Sequence, residues 1–349
     1  MTSRISVIVL NWNGWGDTVE CLESLYRVDY PCLDVVVVDN ASEDESLVKI
    51  REYCRGDLVV ESPFFTYNPH NKPIKITELT EEQIRVNKSL KEEHNLVKSD
   101  QIPAAQNELT LIKNHKNHGF ADGNNIGIIF ALENLNPEYV LLLNNDTVVD
   151  ENFIAEMVRV AEEEKEIGFV GSKTYFYDDK NVLQAAGGGY IDLEKGESLE
   201  VGFGELDNGQ HDRPYELDYV GGSCLLVKKR VIKDIGLLDS NYFMYWEDVD
   251  WCFTGIEHGY KSLYAFKSRI WHKYGTSSEN YLKTFYHNRN RLYFTRKHAD
   301  KGLYRKFLKH FLKDVIQESG YQLIYQRNWV MFKALISGTV QGFKLKLDY

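Results

Sequence analysis

The sequence holds five cysteines (Cys21, Cys32, Cys54, Cys224 and Cys252), scattered and odd in number. No CxxC pair or Cys/His cluster occurs, which argues against both a zinc site and a disulfide framework. Positive charge is in deficit. Lys and Arg number 41 against 52 Asp and Glu, a net charge of −11, so nucleic acid is not expected as the main partner. No apolar run is long enough to span a bilayer, and no signal peptide precedes the first strand, because Ile5 already belongs to it. The expected location is therefore the cytoplasm. The glycine-rich turn at 117–127 matches neither GxGxxG nor a P-loop, so no dinucleotide or ATP fold is supported.

Aromatic residues are plentiful, with 22 Tyr and 17 Phe, which fits stacking surfaces for rings or sugars. The length allows one large domain or a domain with an appendage. Ile5–Leu10 and Leu33–Val38 are β-branched runs that read as strands. The first ends in Asn11-Trp-Asn-Gly14, the second in Asp39-Asn40-Ala41-Ser42. A helix is expected from Asp17 with Glu20 in a capping box, and another after Ser42 with Glu45. This β-α-β-α pattern, with polar residues at each strand's carboxyl end, predicts a doubly wound α/β fold. From Glu61 to Leu109 the pattern breaks, and we read an insertion, part helical, hanging off the nucleotide half.

Leu109–Ile112 resumes as a strand, before the turn Asn117-His-Gly-Phe-Ala-Asp-Gly-Asn-Asn-Ile-Gly127. Such a turn can offer backbone N–H groups to a phosphate, or simply let a helix pack closely on a sheet. Tyr139–Leu143 reads as a buried central strand of a parallel sheet, and it stops at Asn144, Asn145 and Asp146. Ligands bind at such carboxyl ends, and an acid there suits a hard cation holding a diphosphate. The alternative is a polar turn with Asp150 capping the next helix. Tyr219–Val227 is a further strand interrupted by Gly221 and Gly222, as a bulge or a ligand's close approach would require. In Tyr242–Trp251, the carboxylates Glu247, Asp248 and Asp250 stand among five aromatics, including Tyr245 and Trp246. An apolar wall raises a carboxylate's proton affinity, as a general base needs, while acids also favour a helix N-terminus. His272 ends another strand beside polar turn residues.

Taken together, the motifs at 7–14, 37–42, 117–127, 142–147, 245–251 and 272–278 resemble the family 2 glycosyltransferases of GT-A fold, especially the rhamnosyltransferase-like branch. The resemblance covers roughly 5–57 and 112–296. It implies a mostly parallel, Rossmann-like central sheet in a domain spanning 1–296; the residues after that, outside the resemblance, read as a C-terminal helical, basic extension over 297–349. It also implies roles by position. Asn11, Asn13, Asp39, Asn40, Gly123, Asn124, Asn125 and Asn145 would bind the nucleotide. Asp146 and His272 would hold Mg²⁺ or Mn²⁺, Asp248 beside Glu247 would be the base, and Gly221, Gly222, Tyr245 and Trp246 would meet sugar or acceptor. One departure is Asn144, which stands where the family carries the first acid of its DxD motif.

The implied activity is inverting transfer of a sugar from a nucleotide-diphosphate donor, dTDP-rhamnose-like or a UDP-sugar, to a glycan or lipid-linked saccharide acceptor. The alternative is a catalytically silent sugar- or nucleotide-binding scaffold. The basic amphipathic stretch after Glu279 fits peripheral contact with an anionic membrane surface, and equally helices packed on the main domain with a solvated basic face.

Overall fold

The computed structural model describes residues 2–84, 108–275 and 280–347. Its nucleotide half runs β1 (Ile5–Asn11), α1 (Trp15–Leu25), β2 (Leu33–Asp39), α2 (Ser46–Arg55), β3 (Lys75–Thr80), β4 (Glu108–Lys113), α3 (Gly119–Phe130) and β5 (Tyr139–Asn144). The chain continues through β6 (Thr147–Val149), α4 (Phe153–Ala161), β7 (Ile167–Phe176), β8 (Leu183–Ala186), β9 (Gly188–Asp192), β10 (Glu197–Glu200), β11 (Glu216–Leu217) and β12 (Tyr219–Val220). It ends with β13 (Cys224–Lys228), α5 (Lys229–Ile235), α6 (Glu247–Glu257), β14 (Lys261–His272), α7 (Asn280–His298), α8 (Lys301–Gly320) and α9 (Trp329–Lys344).

The main sheet has the order β11-β14-β7-β13-β5-β1-β2-β4-β3. The five strands from β5 to β3 are parallel, as the sequence pattern predicts. β13 pairs antiparallel with both β5 and β7, so β5 lies at the seam between the parallel half and the mixed half rather than within a uniform parallel sheet. Alternation along the strands builds two cores. Ile5, Val7 and Val9 of β1 face one cluster and Ile8 the other; in β2, Val35 and Val37 oppose Val36 and Val38. A smaller sheet, β10-β9-β12, stands beside the main one.

Several expectations need correction. The 61–109 stretch is not wholly an excursion, since β3 pairs in register with β4 from Lys75↔Glu108 to Thr80↔Lys113 as the edge strand. Phe64 also stacks near Tyr177 and Trp271. The helical portion expected there falls mainly on 85–107, outside the described residues. α1 begins at Trp15 rather than Asp17 and has no side-chain cap. Glu20 instead accepts from Lys273 Nζ at 2.6 Å and from the Tyr177 hydroxyl at 2.7 Å. The second capping box is also absent: α2 starts at Ser46, and Ser42 Oγ accepts from Asn11 Nδ2 and the Asn13 N–H, each at 3.0 Å. Asp150 Oδ1 accepts from Asn152 N–H at 3.0 Å, just ahead of α4.

The division expected at 296 falls inside α7. That helix packs along α9, where Gly338 and Gly342 allow backbone contact: a Cβ at Gly338 would lie 2.5 Å from the Phe285 carbonyl oxygen. Its basic residues are not all solvated, because Arg289 is buried and Lys297 is ion-paired with Asp250 at 2.8 Å.

Candidate active site

Register alone gathers the first group of residues. Asn11 pairs across from Asp39, and Leu10 from Asn144, so the carboxyl ends of β1, β2 and β5 form one ledge. On it, Asn11 Nδ2 donates to Asp39 Oδ1 at 2.8 Å, and the Thr18 hydroxyl donates to Asn11 Oδ1 at 2.7 Å. The remaining Asp39 oxygen accepts the Ser42 N–H at 3.1 Å. Asn145 Nδ2 reaches Thr18 Oγ1 at 3.0 Å. Asn13, held at φ 52°, accepts the Glu43 N–H at 2.7 Å.

Asn40 is the hub of the ledge's far side. Its Oδ1 accepts from Asn114 Nδ2 and from the His118 N–H, and its Nδ2 donates to Asn117 Oδ1 and the Gly119 carbonyl, all at 2.9–3.0 Å. The stretch expected as a glycine-rich turn is helical from Gly119 onward, and its glycines serve close packing. A Cβ at Gly127 would sit 2.5 Å from Ile8 Cγ2, and one at Gly123 2.8 Å from Leu10 Cδ1. Asn124 and Asn125, grouped with the nucleotide residues in the sequence, are engaged structurally: Asn124 bonds the Phe120 carbonyl within its helix. Asn125 exchanges both amide bonds with Leu238, at 2.8 and 3.1 Å.

Next to the ledge opens a cleft of about 410 Å³, lined by Asn144, His272, Glu247, Asp248, Tyr245 and Trp246. Gly221 and Gly222 also border it. Asp146 is buried against His272. Its Oδ1 is buried without a hydrogen-bond partner, yet stands 3.1 Å from His272 Nε2. The other ring nitrogen, Nδ1, is 2.6 Å from Gln184 Oε1, an acceptor, so the ring proton sits there. His272 Nε2 therefore carries a lone pair, and lies 3.2 Å from the Asn144 amide nitrogen and 3.1 Å from an orphaned carboxylate oxygen. Two electron pairs at that separation suit a divalent cation, and the donor set (one carboxylate, one imidazole) fits it. The Lys273 N–H bonds the Asp146 carbonyl at 3.0 Å and fixes the pair in register.

Across the cleft, Asp248 accepts two backbone N–H groups, Gly222 to Oδ2 at 2.7 Å and Val249 to Oδ1 at 2.8 Å. Of the two glycines between β12 and β13, Gly222 is the one with a close neighbour, since a Cβ there would stand 3.2 Å from Asp248 Oδ2, whereas one at Gly221 would meet nothing within 4 Å. Burial pushes the Asp248 carboxyl up despite these bonds. Glu247 is pushed much higher, by burial and then by the Asp248 charge, and its Oε2 has no partner. Asp250 behaves oppositely. Burial would raise it, but His298, at 2.8 Å, and Lys297 outweigh that and hold it below the usual carboxylate range.

The turn carrying these acids is strained: Phe243, Tyr245 and Trp246 all have positive φ (65°, 66° and 77°). α7 holds it there. Asn290, fully buried, donates to the carbonyls of Tyr242, Met244 and Tyr245 at 2.7–2.9 Å, and Arg289 donates to those of Asn241 and Tyr242 at 2.6 Å. Sequence reasoning missed this clamp and counted Arg289 as part of a basic face. The available signal was Asn288 and Asn290, two poor helix formers in mid-helix. It also missed Gln184, and the cleft wall of Glu200, Lys283 and His287. Glu200 and His287 are both exposed on this wall.

Comparison with known proteins bears on the family and the fold. The model described as "Glycosyltransferase like family 2" matches residues 86–295, and "Glycosyl transferase family 2" matches 6–72. The chain is similar to the low-salt glycan biosynthesis hexosyltransferase Agl10 of Haloferax volcanii, with 26% identity over 259 residues, 72% of this chain and 62% of that protein. It is also similar to the dTDP-rhamnosyl transferase RfbF of Shigella flexneri, with 24% identity over 204 residues, 56% of this chain and 62% of that one. The chain thus spans about 62% of the length of these two relatives. Among solved structures, a mannosyltransferase from Pyrobaculum calidifontis in complex with GDP-Man and Mn²⁺ matches with a TM-score of 0.54 at 14% identity, over 98% of this chain and 88% of that one. S. aureus TarS 1-349 in complex with UDP-GlcNAc matches at 0.51 and 13%, over 97% and 81%. At these identities the likeness is one of fold, the GT-A α/β architecture.

Proposed function

The chain belongs to glycosyltransferase family 2, and from that premise we propose that it is an inverting transferase that moves a sugar from a nucleotide-diphosphate donor to a glycan or lipid-linked saccharide acceptor. The observation that carries this reading is the shared cleft: Asp248 and His272 both line it, and His272 stands 3.1 Å from the orphaned oxygen of Asp146.

In this reading the ledge of Asn11, Asp39, Asn40 and Asn145 receives the nucleoside, and Asp146 with His272 holds Mg²⁺ or Mn²⁺. Such an ion supplies charge to offset the diphosphate as it leaves. Glu247 keeps its proton, because it is buried, unpaired and beside a like charge. The acidic pair then carries one negative charge, on Asp248. Two backbone N–H groups hold that carboxylate in place, and its raised proton affinity suits it to take the acceptor hydroxyl's proton as that oxygen attacks the anomeric carbon. A single displacement from the opposite face inverts the centre and needs no protein nucleophile. A relative named for dTDP-rhamnosyl transfer, and solved structures with GDP-Man or UDP-GlcNAc, support a nucleotide-sugar donor, of which dTDP-rhamnose-like and UDP-linked sugars are the candidates.

The acceptor and location belong to the same proposal. No helix among the described residues is long and apolar enough to cross a membrane. Yet Ile316, Ile324, Tyr325, Trp329 and Val330 are all at least 60% exposed around the α8–α9 connection, with Lys309, Lys313, Arg327 and Lys333 exposed on the same helices and connection. Exposed apolar and aromatic side chains flanked by cations suit the headgroup region of an anionic bilayer. This supports peripheral attachment at the cytoplasmic membrane face, beside a lipid-linked acceptor.

The test is a thermal-shift panel of UDP, dTDP and GDP, each with and without Mn²⁺. A metal-dependent rise in Tm with one nucleotide is the expected result. No shift with any of them would overturn the reading and leave a silent scaffold.

A further inference from the structure

A second group of ligating side chains lies outside the cleft. Glu81 just after β3, His115 just after β4 and His118 at the start of α3 bring one carboxylate oxygen and two imidazole nitrogens within 4.8 Å of one another. Among the described residues it is the one His/Cys/acid group of three so arranged. Glu81 Oε2 is 2.6 Å from His115 Nδ1 and 2.9 Å from His118 Nε2. The two rings meet edge to face, with centroids 5.3 Å apart. Glu81 is buried, while His115 opens to solvent through a hollow of about 320 Å³.

Both imidazoles turn a nitrogen towards the same carboxylate oxygen. His118 turns its other nitrogen, Nδ1, towards Asp122 Oδ2 at 3.4 Å, and its side chain is only 6% exposed. A metal fits this convergence. His118 Nδ1 keeps its proton for Asp122, Nε2 gives its lone pair to the ion, and Glu81 supplies the charge. Bonds of about 2.0–2.2 Å in a tetrahedral arrangement put ligand atoms about 3.3 Å apart, so the group needs to open by only a few tenths of an ångström.

We propose that Glu81, His115 and His118 form a site for a zinc-class transition metal that clips β3 to the loop carrying the nucleotide ledge. Two imidazoles and one carboxylate suit zinc or cobalt better than magnesium, and solvent completes the shell on the open side. The clip acts one residue from the ledge, because the His118 N–H bonds Asn40 Oδ1 at 3.0 Å and Asn117 bonds Asn40 Nδ2 at 2.9 Å. This inference stands apart from the donor reading, since Asp146 and His272 take no part in it.

The experiment uses the full chain, stripped with EDTA and titrated with Co²⁺ and then Zn²⁺, without nucleotide. The background is Asp146→Ala, so that the cleft cannot contribute. Expected are one equivalent of tightly bound metal, a visible cobalt band that zinc displaces, and slower hydrogen exchange of the 114–119 amides with metal bound. His115→Ala, at an exposed position that leaves folding intact, should lose the band. Asp122→Asn should weaken affinity about 10–100-fold by freeing the His118 ring. Absence of the band in the Asp146→Ala protein, or an unchanged band in His115→Ala, would overturn the site and reduce the group to a hydrogen-bonded cluster.

Discussion

The side-chain amide of Asn290 donates to the carbonyl of Tyr245 at 2.7 Å, and so a helix near the C-terminus holds the positive-φ turn that carries Glu247 and Asp248. Replacing Asn290 with Ala removes the two N–H donors shared among the carbonyls of Tyr242, Met244 and Tyr245. The expected cost is about 1–3 kcal/mol of stability. Turnover should fall further than stability alone explains, because the turn relaxes. Chemical denaturation and steady-state assays check this, and an Asn290→Ala enzyme with wild-type kcat would show that the turn holds its shape unaided.

Asp248→Asn keeps the shape and removes the base. Transfer should drop about 10²–10⁴-fold while nucleotide affinity stays within twofold. The pH profile of kcat/KM in the wild type should show an acid limb displaced above the ordinary aspartate range, because the folded protein raises this carboxyl and transfer needs it ionised. A limb at the ordinary value, or near-normal turnover in the variant, would remove Asp248 from that role.

Asp146→Ala should abolish the difference in nucleotide affinity measured by calorimetry with Mn²⁺ and with EDTA. A difference that persists in the variant would place the ion elsewhere.

The His298–Asp250 pair should make stability depend on pH in a defined direction. His298 is raised in the folded state, because Asp250 and Glu257 outweigh its burial, so its contribution is full below the ordinary histidine value of 6.5 and is lost as pH climbs through the raised one. Asp250 is lowered, so its contribution is full above the ordinary aspartate value and is lost as pH falls through the depressed one. The Tm advantage of the wild type over His298→Gln should therefore be greatest on the acid side of neutrality and shrink towards alkaline pH. An advantage that is flat across that range would mean the two groups are not coupled.

Ile324→Ser combined with Trp329→Ser should release the protein from anionic vesicles in a flotation assay and leave it folded, since both side chains are exposed. Equal flotation of the variant and the wild type would end the membrane reading.

Much of this was legible from strand composition. The β-branched runs at 5–10 and 33–38 and the apolar run at 139–143 each became a strand of the parallel half, and the polar residues that end them form the ledge. What could not be read were long-range pairings. Nothing local says that Gln184 fixes the His272 tautomer, that Ser42 serves Asn11 rather than a helix cap, or that Asn125 serves Leu238. Short polar side chains satisfy whichever backbone or ring the fold brings near, and spacing along the chain carries no trace of that. β3 escaped notice for a related reason: as an edge strand it is mostly exposed and lacks the apolar run that marks its neighbours.

α7 touches four things along its 19 residues: the cleft wall through Lys283 and His287, the strained turn through Arg289 and Asn290, the Asp250 anchor through Lys297 and His298, and α9 along its back. It is thus an axle shared by the reaction cleft and the C-terminal hairpin. A substitution at the face α7 shares with α9 would therefore bear on the same helix that holds the carbonyls of Tyr242, Met244 and Tyr245.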